Sequence, residues 1–315
     1  ELEKCLDALR DISNDPPTVG FWGILFAYCA SAFTGCVILF GGSWIDAGIS
    51  GVLGLIVGIL CIISNRYSIY GRVFEISCSV MVALAARALH QYVCFSSVAV
   101  SSIFMVLPGY SMAIASMELT ARNINIGTIR LVYAVVYAFV LAYGLQVGHS
   151  VYSVIDPLAP EDDHCVPSTI SHWIYIPLFP VMTVAVGMAY GSHYRQFLTQ
   201  TLCASIGYLP FYFLGKVIPE GQIVGCLSAF VCGLYANLAL KVTGEAPIVP
   251  LCVGITLLVP GSIGVRGAFA LLHQDDILHE SFPIEMLTIC LGLVAGLFSA
   301  AMIVYPSGKR RSLYI

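Results

Sequence analysis

Charge is scarce in these 315 residues: 10% are Asp, Glu, Lys or Arg against 58% hydrophobic side chains, whereas soluble domains carry about 25% charged and about 45–50% apolar residues. An ordinary soluble globular domain is excluded. Basic clusters are scarcer still. The net charge is −4 and the longest basic run is Lys309-Arg310-Arg311, so the clustered basic face that nucleic-acid recognition requires is missing. There is no CxxC pair and no Cys/His set at ligand spacing, His164-Cys165 being the nearest approach, which excludes a structural zinc site. Most of the 12 cysteines lie inside apolar stretches, where cysteine behaves as a small hydrophobe, and no disulfide framework is expected. HExxH, GxSxG and phosphate-cradling loops are absent. Gly191-Ser192-His193 is the wrong arrangement for an intramembrane serine nucleophile, whose base must come from another helix. Neither catalysis nor a cofactor is expected. The chain opens on Glu1 with a charged first turn, so no signal peptide is expected and an upstream region is.

Long apolar segments are what remains. A membrane-spanning helix needs about 20 mostly apolar residues, and with a mean hydropathy of +0.89 the chain reads as an all-α polytopic membrane protein. Ten segments are expected, at 21–41, 46–64, 70–90, 92–108, 127–149, 172–190, 196–215, 221–241, 246–260 and 284–305. Before them, Leu2, Cys5, Leu6, Leu9 and Ile12 recur at helical spacing and predict an amphipathic interfacial helix within 1–17. The acidic interval 150–171 carries Asp156, Glu161, Asp162 and Asp163 with no Lys or Arg. It divides the spans five and five, giving transmembrane units at 18–149 and 172–306 and a basic tail at 307–315. With ten spans both termini share a side. On that side fall Lys4, Arg10, Arg66, Arg72, Arg122, Arg130, Arg195, Lys241, Lys309, Arg310 and Arg311, and on the other Arg87, Lys216 and Arg266. Cytoplasmic loops retain Lys and Arg, so both termini are expected in the cytoplasm and the 150–171 loop outside, in a plasma or vacuolar membrane.

Five spans per half require the second half to enter the membrane from the opposite face, as in inverted-repeat transporters. Pro108-Gly109 and Pro260-Gly261 are 152 residues apart, Gly71 and Gly221 are 150 apart, and Gly42-Ser43 and Gly191-Ser192 are 149 apart. Each Pro-Gly pair interrupts an apolar run and predicts a broken helix, because proline lacks the backbone donor and glycine permits the turn. A half-helix N-terminus at membrane depth offers N–H groups and a positive dipole end to a carboxylate. The alternative is that each pair ends a helix at the interface.

Charges within apolar segments mark a polar pathway by default. Glu75, expected about a turn and a half into the third helix, is the candidate proton or substrate-ammonium site, with a structural ion pair to Arg72 as the alternative. Asp46 opens the second helix, either on the pathway or as a helix cap. Glu118 and Arg122 are spaced i,i+4, and with Arg130 they bracket the fifth helix. An Arg there can grip a carboxylate or, for Arg130, anchor the cytoplasmic interface. Arg266 follows Pro260 on the side with few basic residues. Arg87 and His90 are expected at the interface, and Gly51, Gly54 and Gly58 in helix packing. On the offsets of 150 and 149, Glu75 falls on Gly225 and Asp46 on Arg195, so the acidic groups have no acidic counterparts in the second half.

Phe40-Gly41-Gly42-Ser43-Trp44-Ile45-Asp46, Val73-Phe74-Glu75-Ile76 and Leu107-Pro108-Gly109-Tyr110-Ser111, continuing through Met117-Glu118-Leu119, Arg122-Asn123 and Gly127-Thr128-Ile129-Arg130-Leu131, resemble the threonine/serine exporter (ThrE) family and a fungal branch within it. Leu258-Val259-Pro260-Gly261 is similar to the family's second-half motif, where the fungal branch often has Pro-Ser-Gly and this chain has Pro260-Gly261-Ser262. The resemblance implies ten helices from two five-helix units and an upstream cytoplasmic region. It also implies export of small amino acids, driven in bacteria by proton motive force; distant split versions are associated with dicarboxylates. The expected partners are a small amino acid or carboxylate, protons and the bilayer, with homo-oligomerisation left open. A channel or signalling protein on the same scaffold, without proton coupling, is the alternative.

Overall fold

A computed structural model describes residues 18–120, 123–156, 170–218, 220–244, 247–258, 265, 267–269 and 282–305. Among these, every regular element is helical: α1 (Phe21–Ile38), α2 (Trp44–Arg66), α3 (Phe74–Ala88), α4 (Phe95–Ser102), α5 (Gly109–Thr120), α6 (Ile124–Ile155), α7 (Tyr175–Ala189), α8 (Phe197–Leu214), α9 (Gly221–Thr243), α10 (Ile248–Leu258) and α11 (Phe282–Val304), with short 3-10 turns between some of them. Each of the ten apolar segments read from the sequence contains a helix. Seven helices are long and apolar enough to cross a membrane, or eight if the bent pair at 95–112 is one span. By length and composition alone, the described helices thus account for seven or eight of the ten expected spans. The third segment holds only 15 helical residues, the fourth is broken, and α10 has 11 described residues. The interfacial helix within 1–17, the 157–169 part of the acidic loop, Arg122, Pro260, Gly261, Arg266 and the tail at 307–315 lie outside the described residues. The fifth helix runs to Ile155, six residues past its expected end, because the polar residues after His149 continue the helix instead of ending it.

Caps and breaks follow local chemistry. Ser43 and Asp46 form a capping box at the head of α2: the Ser43 N–H donates to Asp46 Oδ2 at 2.7 Å, and the Asp46 N–H donates to Ser43 Oγ at 3.3 Å. Asp46 Oδ1 also accepts the Cys94 N–H at 3.0 Å, tying this turn to the head of α4. The third segment does not start as one helix. Tyr70–Arg72 form a 3-10 turn, Val73 breaks it at φ −120° and ψ 4°, and α3 begins at Phe74, which puts Glu75 in the first turn. Arg87, in the last turn of α3, is buried, its guanidinium 5.9 Å from the Phe95 ring centroid. Cys94 is disulfide-bonded. It lies just before α4, at the end of a span, whereas the described cysteines within the spans are free.

Small residues set the helix contacts, as they must where lipid gives no hydrophobic advantage to association and close backbone approach decides it. α1 packs on α2 and α7, α3 on α6, α8 on α10, and α9 on α11. Gly54 and Gly58 of α2 face Tyr28 of α1, the packing role read for them. At the α3–α6 crossing, a methyl group built at Gly148 would stand 2.5 Å from the Val80 carbonyl oxygen and 2.6 Å from Ala83 Cβ. At the α9–α11 crossing, Gly292 and Gly296 meet the Gln222 and Cys226 carbonyls in the same way. Gly148→Leu is expected to lower stability by about 1–3 kcal/mol through overpacking. Gly48→Ala, with nothing within 4 Å of a built methyl, should leave it unchanged or raise it by up to about 1 kcal/mol. Thermal unfolding of the two variants in detergent checks the contrast.

Two turns share one design. Gly41 has φ +64° and Gly191 φ +75°, a left-handed conformation suited to glycine. Two residues later Ser43 opens the capping box with Asp46, and His193 opens one with Gln196. Aligned on these boxes the offset is 150, and Asp46 meets Gln196 rather than the Arg195 expected from an offset of 149. Contacts also bridge the first and second halves: Met112 clusters with Ala268, Met286 and Cys290, and Val265 joins the core built on α3, α4 and α6.

Candidate functional site

Proline decides where the site forms. The chain bends by 55° between Phe95–Ser102 and Phe104–Met112, passing through a 3-10 turn and an extended Leu107 before α5 starts at Gly109. Pro108 has no N–H of its own, and its carbonyl accepts the Met112 N–H at 3.0 Å as the first bond of the new helix. The N–H groups of Gly109 and Ser111 precede that bond and have no acceptor within the helix. Irregular backbone of this kind is tolerated at membrane depth where it borders a cavity.

A cavity of about 340 Å³ lies at this break. Its wall takes Tyr28 from α1, Phe74 and Glu75 from the head of α3, and Met105 to Pro108 from the break. Tyr110 and Ser111 come from the first turn of α5, Tyr133, Ala134 and Tyr137 from α6, and Tyr190 from the end of α7. Glu75 is half-buried, and among the described residues it forms no ion pair. The one described salt bridge is elsewhere, between Arg130 Nη1 and Glu118 Oε1 at 3.0 Å. Structural pairing of Glu75 with exposed Arg72 is thus not seen, because the break at Val73 takes Arg72 off the helix that carries Glu75.

Tyrosine hydroxyls bind the cavity to its surroundings. Tyr28 Oη donates to Cys61 Sγ at 3.2 Å. Tyr110 Oη and Cys252 Sγ are 3.0 Å apart, as are Tyr190 Oη and Thr256 Oγ1 at 2.8 Å. The Tyr110 and Tyr190 rings lie 5.7 Å apart. Two of these contacts reach α10, so the wall of the cavity is locked to the second half of the chain.

Of the sequence-derived candidates, Glu75 and Pro108 line the cavity, with Gly109 between two lining residues. Asp46, Arg72, Glu118 and Arg130 do not line it. Asp46 is buried, with both carboxylate oxygens accepting backbone N–H groups, which is the capping geometry. Asp46→Ala should cost about 2 kcal/mol or more, since it removes a cap and leaves the Cys94 N–H without its acceptor; Asp46→Asn, with one acceptor oxygen, should recover part of the loss in the same unfolding measurement. Glu118 pairs with Arg130 across the α5–α6 turn, while its expected partner Arg122 lies outside the described residues. The five tyrosines were not singled out in the sequence. Tyr133 and Tyr137, spaced i,i+4 in an apolar run, were the available signal.

Comparison with known proteins adds lineage to this geometry. A family model described as "Putative threonine/serine exporter" matches residues 1–152. Over those residues the chain is similar to the threonine/serine exporter family. All of the cavity wall except Tyr190 falls within the matched residues. Beyond that match, the chain is 28% identical over 327 residues to pheromone-regulated membrane protein 10 of Saccharomyces cerevisiae strain S288c, covering 96% of this chain and 84% of that protein. It is 30% identical over 319 residues to the protein of the same name from Kluyveromyces lactis, covering 94% of this chain and 33% of the relative. An uncharacterised Schizosaccharomyces pombe protein is 28% identical over 340 residues, covering 99% and 44%. The chain thus spans about a third to under half the length of two of these relatives. No solved structure matches. Apolar helices and relatives named as membrane proteins together make this a multi-pass membrane protein.

Proposed function

We propose that this chain is a proton-coupled secondary transporter that exports small amino acids or related carboxylates by antiport. The observation that carries the proposal is the cavity itself, which brings the Glu75 carboxylate to the wall that holds the broken-helix N-terminus at Gly109–Ser111. A zwitterionic amino acid has the complementary pair: a carboxylate for the N–H groups and dipole of α5 and an ammonium for Glu75. About 340 Å³ is at the small end of the ligand-site range of about 300–1,000 Å³, which favours a small substrate. A carboxylate exchanging between proton and ammonium couples the two fluxes at one atom pair.

Two five-helix halves of inverted topology are the scaffold we infer. The matched capping turns at Gly41 and Gly191, and the paired glycines Gly144/Gly148 and Gly292/Gly296 at corresponding crossings, support duplication. Glu75 lies near Arg72, and Tyr190 near Arg195, so the cavity sits toward the end of the bundle rich in basic residues. Retention of Lys and Arg on the cytoplasmic side then makes this the inward-facing state, with both termini cytoplasmic. Uptake and counterflow in proteoliposomes, with a panel of amino acids and dicarboxylates at two pH gradients, tests the reading. Saturable exchange of small zwitterions that responds to the gradient is expected; flux indifferent to the gradient would favour a channel.

A further inference from the structure

A second cavity, away from Glu75, opens between α7 and α8 with a volume of about 510 Å³. Its body is apolar and aromatic, including Ile176, Phe179, Pro180 and Leu209, and its far end gathers His172, Tyr175, Tyr208 and Tyr212. The rings form a continuous wall: Phe179 and Tyr208 are 5.0 Å apart, Tyr208 and Tyr212 stack at 6.3 Å, and His172 stands 5.4 Å from Tyr175 and 6.1 Å from Tyr212.

Three polar tips in this wall make no hydrogen bond among the described residues. Among the described residues nothing hydrogen-bonds the phenols of Tyr175 and Tyr208 or the imidazole of His172, although the phenols of Tyr175, Tyr208 and Tyr212 are within electrostatic reach of one another. Pro180, on the groove wall, has no N–H to offer the Ile176 carbonyl. The cation at the rim is already engaged: Lys216 Nζ donates to Tyr212 Oη at 2.9 Å and lies 4.1 Å from the centroid of that ring. In a bilayer, polar groups without partners are costly. An occupant that is apolar and rigid along its body, with one neutral hydroxyl at its end, satisfies both parts of the groove.

We infer that the α7–α8 groove binds one sterol-class lipid, its fused rings against Phe179, Pro180 and Leu209 and its hydroxyl among His172, Tyr175 and Tyr208. A flat rigid body loses little conformational freedom on stacking against aromatic walls, and a neutral hydroxyl suits phenols and an imidazole better than a phosphate does. The spacing Leu209-x2-Tyr212-x3-Lys216 follows a short pattern proposed for sterol contact. That pattern is common, but here Leu209 and Tyr212 line the groove and Lys216 holds Tyr212.

The test uses the chain reconstituted in nanodiscs with a diazirine-bearing sterol. Photoadducts are expected on α7 and α8, displaced by unlabelled sterol and not by phosphatidylcholine at the same mole fraction. Ser205→Phe, which fills the groove, should lower labelling about tenfold, equivalent to about 1.4 kcal/mol. Should that variant not fold, Tyr208→Phe carries the same test, removing one hydroxyl and lowering labelling about threefold to tenfold. Adducts spread over other exposed apolar faces such as Val132 and Ile303, displacement by phosphatidylcholine as effective as by sterol, or labelling unchanged in the folded variant would overturn the assignment.

Discussion

Glu75→Gln is expected to abolish the response of transport to a pH gradient while downhill exchange of substrate continues. A proton gradient of one unit supplies 1.36 kcal/mol per coupled proton, enough for about tenfold accumulation. Glutamine keeps the shape of the side chain and cannot carry the proton, so accumulation in proteoliposomes should fall from that level to equilibration. Glu75 lines the cavity and makes no described ion pair, so the variant leaves no orphaned charge behind. Retained pH-driven accumulation would remove Glu75 from the mechanism, and an unfolded variant would assign it a structural role.

Ser111→Asp is expected to have the larger effect on substrate affinity, with opposite signs for binding and folding. Ser111 lies in the first turn of α5 and lines the cavity. A carboxylate in a first helical turn is favourable for the helix by about 0.3–1 kcal/mol, so folding should hold or improve. The same carboxylate occupies the N–H groups and repels a substrate carboxylate, and loss of a charge-assisted contact plus repulsion should weaken binding about 100-fold, or about 2.7 kcal/mol. Ser111→Ala should stay within about tenfold of the parent chain. Thermal unfolding and concentration-dependent counterflow, measured on the same preparations, separate the two effects; normal affinity in Ser111→Asp would place the substrate carboxylate elsewhere.

The break at Pro108 was legible in the sequence because a missing N–H is a property of the residue itself. Glu75 was legible as a rare charge in an apolar run. What the pattern could not show was the local start of α3, since hydropathy runs through Tyr70–Val73 without a signal for the 3-10 turn that separates Arg72 from Glu75. Likewise, the pairing of Glu118 with Arg130 depends on how α5 and α6 fold back on each other, which spacing along the chain does not show. Tyrosine is apolar enough to disappear into a span, so the five phenols of the cavity wall emerged only once helices from both halves came together. The glycine pairs pointed to duplication at offsets of 149 to 152, and the two capping boxes, opened by Ser43 and His193, lie 150 residues apart.

The central claim is that a small amino acid sits between Glu75 and the N-terminus of α5. An experimental structure of the chain determined with saturating threonine tests it most directly. The account predicts substrate density in the Glu75 cavity, its carboxylate hydrogen-bonded to the Gly109 or Ser111 N–H and its ammonium facing Glu75. Substrate density at any other place in the bundle, with this cavity empty in a preparation that transports threonine, would contradict it.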